Sequence, residues 1–297
     1  MAIHNKITDD QIKFISENLD KHPNELALIL GKHAGSITRV AKQHNLKYIK
    51  TSPKSTKINN SFFKMKSAEM FYILGFIAAD GCILETARNG LSLNIELSIK
   101  DSQHLEKISK IMGFSGLLRF DKTKSTAIFR VGSREICLDL KGYGISPRKS
   151  LVLNWPSNIP SEYVSDFIRG YFDGDGSCRL QEGYKNKNGE FIPQFSFQIL
   201  GTLHFLEGIK KTFNEICNNN YGSIKKSKTS NVFILTIGGN KSAISFGEFI
   251  YNNKKVYLHR KFKRFEFWKS IRCGKVTKLN IEYLRYYNPI SSAKTSE

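Results

Sequence analysis

Asp80 and Asp175 are the residues whose type and spacing most directly suggest chemistry. Each closes an apolar run and is followed by glycine: Ile73-Leu74-Gly75-Phe76-Ile77-Ala78-Ala79-Asp80-Gly81, and Ile168-Arg169-Gly170-Tyr171-Phe172-Asp173-Gly174-Asp175-Gly176. Stacked, the two stretches match at Gly75/Gly170, Ile77/Phe172, Asp80/Asp175 and Gly81/Gly176. Glycine is a common helix stop because it adopts the left-handed conformation, so each aspartate is expected in the last turn of a helix. An acid there faces the negative end of the helix dipole, and two such acids side by side repel each other. A divalent cation between them removes both penalties. The plain alternative, two solvated helix-end acids, leaves the dipole penalty in place.

The elements that must position these acids are also legible. Small residues recur four apart, Gly75 with Ala79 and Gly170 with Gly174, and that spacing puts them on one helical face. A face without bulk lets two helices pack closely. The first motif helix is expected from about Ser67 to Asp80. Leu91, Leu93, Ile95, Leu97 and Ile99 then alternate with polar residues, as in a half-buried strand, and Arg88-Asn89-Gly90 before them reads as a hairpin turn. A helix from Ser102 to Met112, a hairpin from Gly116 to Val131 and a helix from Ser133 to about Lys141 complete one repeat. The same order returns after Asp175: strands flanking residues 183–189, a helix from Leu203 to Ile216, a hairpin around residues 225–228 and a helix from Ser242 to Tyr251. Leu97 to Leu105 superposes on Gln198 to Leu206. Two copies make a pseudo-symmetric pair, since a solenoid needs three or more.

Composition narrows the partners. The chain of 297 residues carries 46 Lys and Arg against 26 Asp and Glu, a formal net charge of +20 spread along its length. Such an evenly basic chain is expected to bind nucleic acid. Cys82, Cys137, Cys178, Cys217 and Cys273 form no C-x-x-C pair, which predicts neither a zinc site nor a disulfide framework. The N-terminus lacks the apolar core of a signal peptide, and no stretch is long and apolar enough to span a membrane. An intracellular location is expected, in a bacterial or phage-infected cell or an organelle, and not secretion.

Residues 1–48 read as a small all-α module resembling a helix-turn-helix. Thr8 or Asp9 can cap a first helix with Ile12, Ile15 and Leu19 inward. Leu26, Ala27 and Leu30 face inward in a second, which Gly31 ends. A third runs from about Gly35 to His44 and carries Arg39 and Lys42 on its outer face, where a recognition helix would meet DNA. A three-helix bundle with a solvated basic face is the alternative. Residues 49–66, polar, basic and broken by Pro53, read as a linker. Two repeats then span 67–160 and 161–270, and a tail covers 271–297. The fold class is α+β: two αββαββα repeats, each with a four-stranded antiparallel sheet covered by helices on one face, together forming a saddle.

The duplicated motif, the segment from Gly144 to Ser150 leading through Asn158-Ile159-Pro160 into the second copy, and the closing Tyr257-Leu258-His259-Arg260-Lys261-Phe262 resemble the LAGLIDADG homing endonucleases in their single-chain, two-motif form. The resemblance covers about residues 64–268. It implies a monomer that cuts a long, asymmetric double-stranded DNA target, one phosphodiester per strand. It implies magnesium, with manganese as a substitute, held by Asp80 and Asp175 with Gly81 and Gly176 beside them. Asp173 is the rival acid in the second copy, but its counterpart is Ala78, so its role is secondary. The family often has a lysine near each cleavage centre. Lys149 fits in the first half; Lys255 fits best in the second, with Lys254 and Lys261 competing. A polar residue at a strand end maps to Lys100 and Gly201, and the glycine departs from the pattern, implying unequal cutting of the two strands.

The polar strand faces supply the expected base contacts: Ser92, Asn94, Glu96, Lys100, Arg119 and Arg130 in one half, and Arg179, Gln181, Gln194, Ser196 and Gln198 in the other. Ordinary solvent-facing strand residues are the alternative for each. Two other functions share this scaffold: a DNA-binding transcriptional regulator and an RNA-binding intron maturase. Retention of both aspartates argues against the first, and the N-terminal module favours DNA over RNA. The terminal residues lack a splicing nucleophile and a His-Asn ending, so an intein is not expected.

Overall fold

The computed structural model describes residues 7–19, 21, 23–48, 57–85, 90–185, 187 and 191–272. Most of the expected linker (49–56), turn residues 88 and 89, the side chain of Gln181, parts of the 183–189 loop, and Cys273 with the tail lie outside the described residues. The chain divides into two compact units, 1–56 and 57–297.

The first unit holds α1 (Asp9–Glu17), α2 (Pro23–Ile29) and α3 (Ala34–Gln43) around Ile15, Leu26, Ala27 and Ile37. Thr8 caps α1 reciprocally with Gln11, which satisfies two otherwise orphaned N–H groups. Gly31, at φ +61°, turns the chain after α2. Arg39 and Lys42 are exposed on α3.

In the second unit the motif helices are α4 (Ala68–Asp80) and α7 (Val164–Asp175). Ser67 caps α4 by accepting from the Met70 N–H. Every residue from Met70 to Ala78 is buried, as expected of a helix apolar all round its circumference. A Cβ on Gly75 would lie 2.0 Å from the Phe167 carbonyl oxygen, and one on Gly170 would lie 1.9 Å from that of Tyr72. Tyr72 and Phe167 each stand three residues before their own helix's glycine, so one contact is made twice across a pseudo-twofold axis. The glycines that end the helices act differently from the expectation. Gly81 and Gly176 have φ of −79° and −93°, extended rather than left-handed. They are glycine because a Cβ would strike the Ile77 and Phe172 side chains at 2.6 and 2.1 Å.

Each motif helix feeds directly into a sheet. β1 (Gly81–Glu85), β2 (Leu91–Ser98), β3 (Arg119–Asp121) and β4 (Thr126–Gly132) order as β1-β2-β4-β3. β5 (Gly176–Lys185), β6 (Phe191–Gly201), β7 (Ser223–Lys226) and β8 (Phe233–Gly238) repeat this as β5-β6-β8-β7, and all pairings are antiparallel. α5 (Ser102–Ile111) and α6 (Arg134–Gly142) serve the first repeat, and α8 (Leu203–Cys217) and α9 (Asn240–Tyr251) the second. The αββαββα order therefore holds in both.

Strand register corrects the superposition of the two halves. Gly81 pairs with Ile95 and Gly176 with Ile199, so Ile95 matches Ile199 and Leu97 matches Gly201. The sequence match aligned the following helices and slipped the strands by three. The cause is a 3-10 turn, Ile99–Asp101, between β2 and α5; after β6 only Thr202 intervenes before α8, which it caps.

Two further departures have simple reasons. Residues 57–66 belong to the second unit and not to a linker: Phe62 and Phe63 are buried, and the Asn59 N–H donates to the Met112 carbonyl. A tenth helix, α10 (His259–Arg272), was not expected. Its buried face is Lys261, Phe262, Phe265 and Trp268, a helical spacing hidden by the lysine at a core position.

Candidate active site

Asp80 and Asp175 stand at the last positions of α4 and α7, both partly buried. The helix ends abut. A Cβ on Gly174 would lie 2.3 Å from the Ala79 Cβ and 3.1 Å from Asp80 Oδ2, so the missing side chain makes room for the partner's carboxylate. Burial raises both carboxyls, and the charge of Asp175 raises Asp80 further, to about 6. Neither makes a hydrogen bond or ion pair among the described residues. Two underpartnered carboxylates held together fit a hard divalent ion such as magnesium, which takes one or two carboxylates and otherwise water. No group of three or more His, Cys, Asp or Glu could hold a metal among the described residues, so a site here rests on these two acids.

The raised carboxyl has a measurable consequence in metal-free protein. Asp80 binds its proton more tightly folded than unfolded, with a pKa of about 6 against 3.8. The folded state therefore holds more protons between those values, and stability falls as pH rises through that window. The loss is at most about 3 kcal/mol before solvent screening. In EDTA at about pH 7, Asp80→Asn is expected to melt a few degrees above wild type, with the gap closing toward about pH 4. A variant that melts no higher than wild type at neutral pH would contradict this.

Buried lysines from distant segments close both helix ends. Lys149, 6% exposed, donates from Nζ to the Ala79 carbonyl at 2.9 Å. Lys261, 3% exposed, donates to the carbonyls of Phe172, Asp173 and Gly174 at 2.8, 2.7 and 3.0 Å. The Phe172 carbonyl also accepts from the Gly176 N–H; the Ala79, Asp173 and Gly174 carbonyls lie in a last turn that has no intrahelical donors to offer them, and the cations offset the dipole that made the aspartates misfit. An ammonium has three donors. Lys261 commits all three, whereas Lys149 commits one among the described residues. Burial lowers both lysines, Lys261 to about 8, against the opposing pull of nearby aspartates.

Lys261, not Lys255, is thus the counterpart of Lys149. Lys255 is exposed and pairs at 3.3 Å with Glu69, in the first turn of α4. Glu69 stands eleven positions before Asp80, about 16 Å along a helix. Lys254 lies over the Phe262 ring at 4.0 Å. The sequence did hold a signal: Arg148-Lys149 and Arg260-Lys261 are the same dipeptide.

Asp173 is fully enclosed. Its carboxylate accepts from the Tyr72 and Tyr251 hydroxyls and the Leu258 N–H, and burial pushes it up to about 6. That leaves it a structural acid. Gly201 has its own reason: a Cβ there would lie 2.9 Å from the Tyr171 hydroxyl, which donates to the Leu200 carbonyl. Lys100 is exposed in the 3-10 turn and not at a strand end. Beside it, Asp101, which no sequence pattern singled out, accepts a forked pair from Arg260 at 2.9–3.1 Å.

The open faces of the sheets carry most of the expected contact residues. In the first, Arg130 Nε donates to Asn94 Oδ1 at 3.1 Å, Thr126 donates to Glu96 at 2.8 Å, and Arg119 is exposed. In the second, Arg179 is exposed and Gln194, Ser196 and Gln198 are half-buried. Gln181 pairs with Gln194 in the β5–β6 register. Ser92 is the exception at 8% exposure, placed opposite Leu84 and Gly132.

A pair of glycine-faced helices, each opening an αββαββα repeat and ending in an acid, defines the fold of the LAGLIDADG homing endonucleases. Solved structures of that family match the chain over most of its length. The I-LtrWI LAGLIDADG homing endonuclease bound to target DNA aligns with a TM-score of 0.53 at 16% identity, covering 77% of this chain and 96% of that one. The LAGLIDADG meganuclease I-AabMI bound to uncleaved DNA gives 0.54 at 15% identity, over 74% and 98%. I-GzeII in complex with its DNA target gives 0.53 at 15% identity, over 73% and 96%. No family profile and no curated protein sequence matches the chain.

Proposed function

We propose that the chain is a site-specific double-strand DNA endonuclease that hydrolyses one phosphodiester in each strand, with divalent metal at Asp80 and Asp175. The observation that carries this reading is the meeting of two carboxylates without hydrogen bonds among the described residues, at abutting helix ends that each run straight into a sheet with an open polar face. The net charge of +20 supplies phosphate affinity. The likeness to enzymes held on DNA supports the same substrate for this chain.

Asp80 and Asp175 would hold magnesium, or manganese in its place, alongside the backbone at Gly81 and Gly176. Such an ion, when bound, supplies an acidified water and charge stabilisation for the leaving 3′ oxygen. Lys149, with two ammonium hydrogens uncommitted among the described residues, can offer them to a water or phosphate oxygen, while Lys261 holds the end of α7 and thereby Asp175. Arg119, Arg130 and Arg179 suit guanine, Asn94, Gln194 and Gln198 suit adenine, and Glu96 suits cytosine. Arg39 and Lys42 give the N-terminal module a basic face for the backbone. Removing residues 1–50 is expected to flatten the salt dependence of binding in proportion to the phosphates this module neutralises.

The decisive assay is linearisation, with magnesium, of a plasmid carrying the locus that encodes this chain with the gene itself removed. Tight binding without cutting by the wild type would instead favour a transcriptional regulator, and preference for the intron RNA a maturase. Within the enzyme reading, Lys149→Met and Lys261→Met are each expected to slow at least one strand about 100-fold or more. Lys255→Met is expected to stay within about twofold of wild type, as an exposed ion pair contributes little. Strand-labelled duplexes measure both, and a Lys255→Met defect as large as that of Lys261→Met would reverse the assignment.

A further inference from the structure

The two halves of the site are supported differently, and the difference lies in α7. Asp173 is 2% exposed and Arg169 is 1% exposed; the matching residues of α4 are Ala78 and Leu74. A buried ion is costly unless hydrogen bonds satisfy it, and both of these draw partners from one short stretch of chain. Asp173 Oδ2 accepts from the Leu258 N–H at 2.7 Å. Arg169 donates from Nε to the Val256 carbonyl and from Nη1 to the Ile250 carbonyl, each at 2.8 Å, while its Nη2 pairs with Asp166.

Apart from Asp166, those partners all lie between the last turn of α9 and the start of α10. Leu258 immediately precedes α10, and its carbonyl accepts from the Lys261 N–H at 3.1 Å. Lys261, in the first turn of α10, returns its ammonium to the carboxyl end of α7. The path closes on itself: α7 fixes the entry to α10, and α10 caps α7. The carboxylate is also tied to the other repeat. Tyr72 of α4 donates its hydroxyl hydrogen to Asp173 at 2.8 Å, so the His104 Nε2–H, 2.8 Å from that hydroxyl, is the donor to it. Lys149 has no such tether among the described residues and is delivered through Arg148 in the left-handed region at φ 59° and the 3-10 turn Lys149–Leu151.

We propose that Asp173 is a positioning residue for the second half of the site, fixing the first turn of α10 and through it Lys261 and the Asp175 end of α7, so that its loss impairs one strand's cleavage selectively. This rests on the endonuclease reading above. Asp173→Ala, which installs the residue type of the first repeat, removes three hydrogen bonds at once. Asp173→Asn keeps an acceptor for the Leu258 N–H and the Tyr72 hydroxyl and a donor toward Tyr251.

The test uses the full chain and a strand-labelled duplex carrying the target. Asp173→Ala is expected to slow one strand at least about tenfold more than the other, the same strand that Lys261→Met slows, with nicked product accumulating. Asp173→Asn is expected to restore the wild-type ratio of the two rates. Equal slowing of both strands by Asp173→Ala would overturn the proposal, since a merely structural defect predicts that result. Hydrogen exchange on the DNA-free protein separates this from the endonuclease reading. The wild-type Leu258 amide is expected to exchange as slowly as the amides of α7, a measurement that stands even if Asp173→Ala does not fold. A rapidly exchanging Leu258 amide overturns the tether whatever the cleavage assay shows. A slow one with no cutting of any target leaves the tether in place and removes only the endonuclease reading.

Discussion

Asp80→Asn and Asp175→Asn are each expected to leave a folded protein that binds its target and yields no linear product. Among the described residues, Asp80 and Asp175 are the acids at the helix ends with no hydrogen-bond partner, Asp173 being taken up by Tyr72, Tyr251 and Leu258, so each substitution halves the charged donor set. Loss of that electrostatic stabilisation corresponds to a fall of at least about a thousandfold in double-strand cleavage. Binding is expected to hold or tighten, because the removed charges repel phosphate. Fluorescence anisotropy at fixed salt, paired with plasmid linearisation, measures both. Linear product from either variant at more than about a tenth of the wild-type rate would show that the acids have been assigned wrongly.

The second large effect concerns stability. Gly170→Ala places a methyl 1.9 Å from the Tyr72 carbonyl oxygen, and Gly75→Ala one 2.0 Å from that of Phe167. Those obstacles are backbone inside a helix, so relief requires α4 and α7 to separate by about an ångström along a core that packs like a crystal. Destabilisation of about 4 kcal/mol or more is expected for either, in the range reserved for severe overpacking. Gly142→Ala is the matched control. Nothing lies within 4 Å of its Cβ position and its φ is ordinary, so a change within about 1 kcal/mol is expected. Denaturant unfolding of the three variants decides the matter. A Gly170→Ala protein as stable as the control would mean that the helices do not approach as closely as described.

The amino-acid sequence by itself determined the paired aspartates, the small-residue faces that bring α4 and α7 together, and the duplication that makes them pseudo-equivalent. It also set Asp173 apart from Asp175, because Ala78 breaks the symmetry at that position. All of these are carried by short patterns, one helical turn or one strand in length, and the duplication is the return of those patterns in the same order. Tertiary structure alone decided which distant groups complete the site. Lys261 shares the Arg-Lys dipeptide of Lys149, but in a lysine-rich chain that signal does not separate it from Lys254 and Lys255, whereas its burial against three carbonyls does. Those carbonyls belong to residues some 87–89 positions earlier. Lys255 looked equivalent until its partner proved to be Glu69, at the far end of α4. The equivalence of Leu97 with Gly201 hinged on a three-residue turn that sequence matching absorbs without trace, whereas hydrogen-bond register does not. Pattern along the chain specified which helices and strands form; the choice of lysine at each helix end depended on where the orphan carbonyls of α4 and α7 meet the rest of the fold.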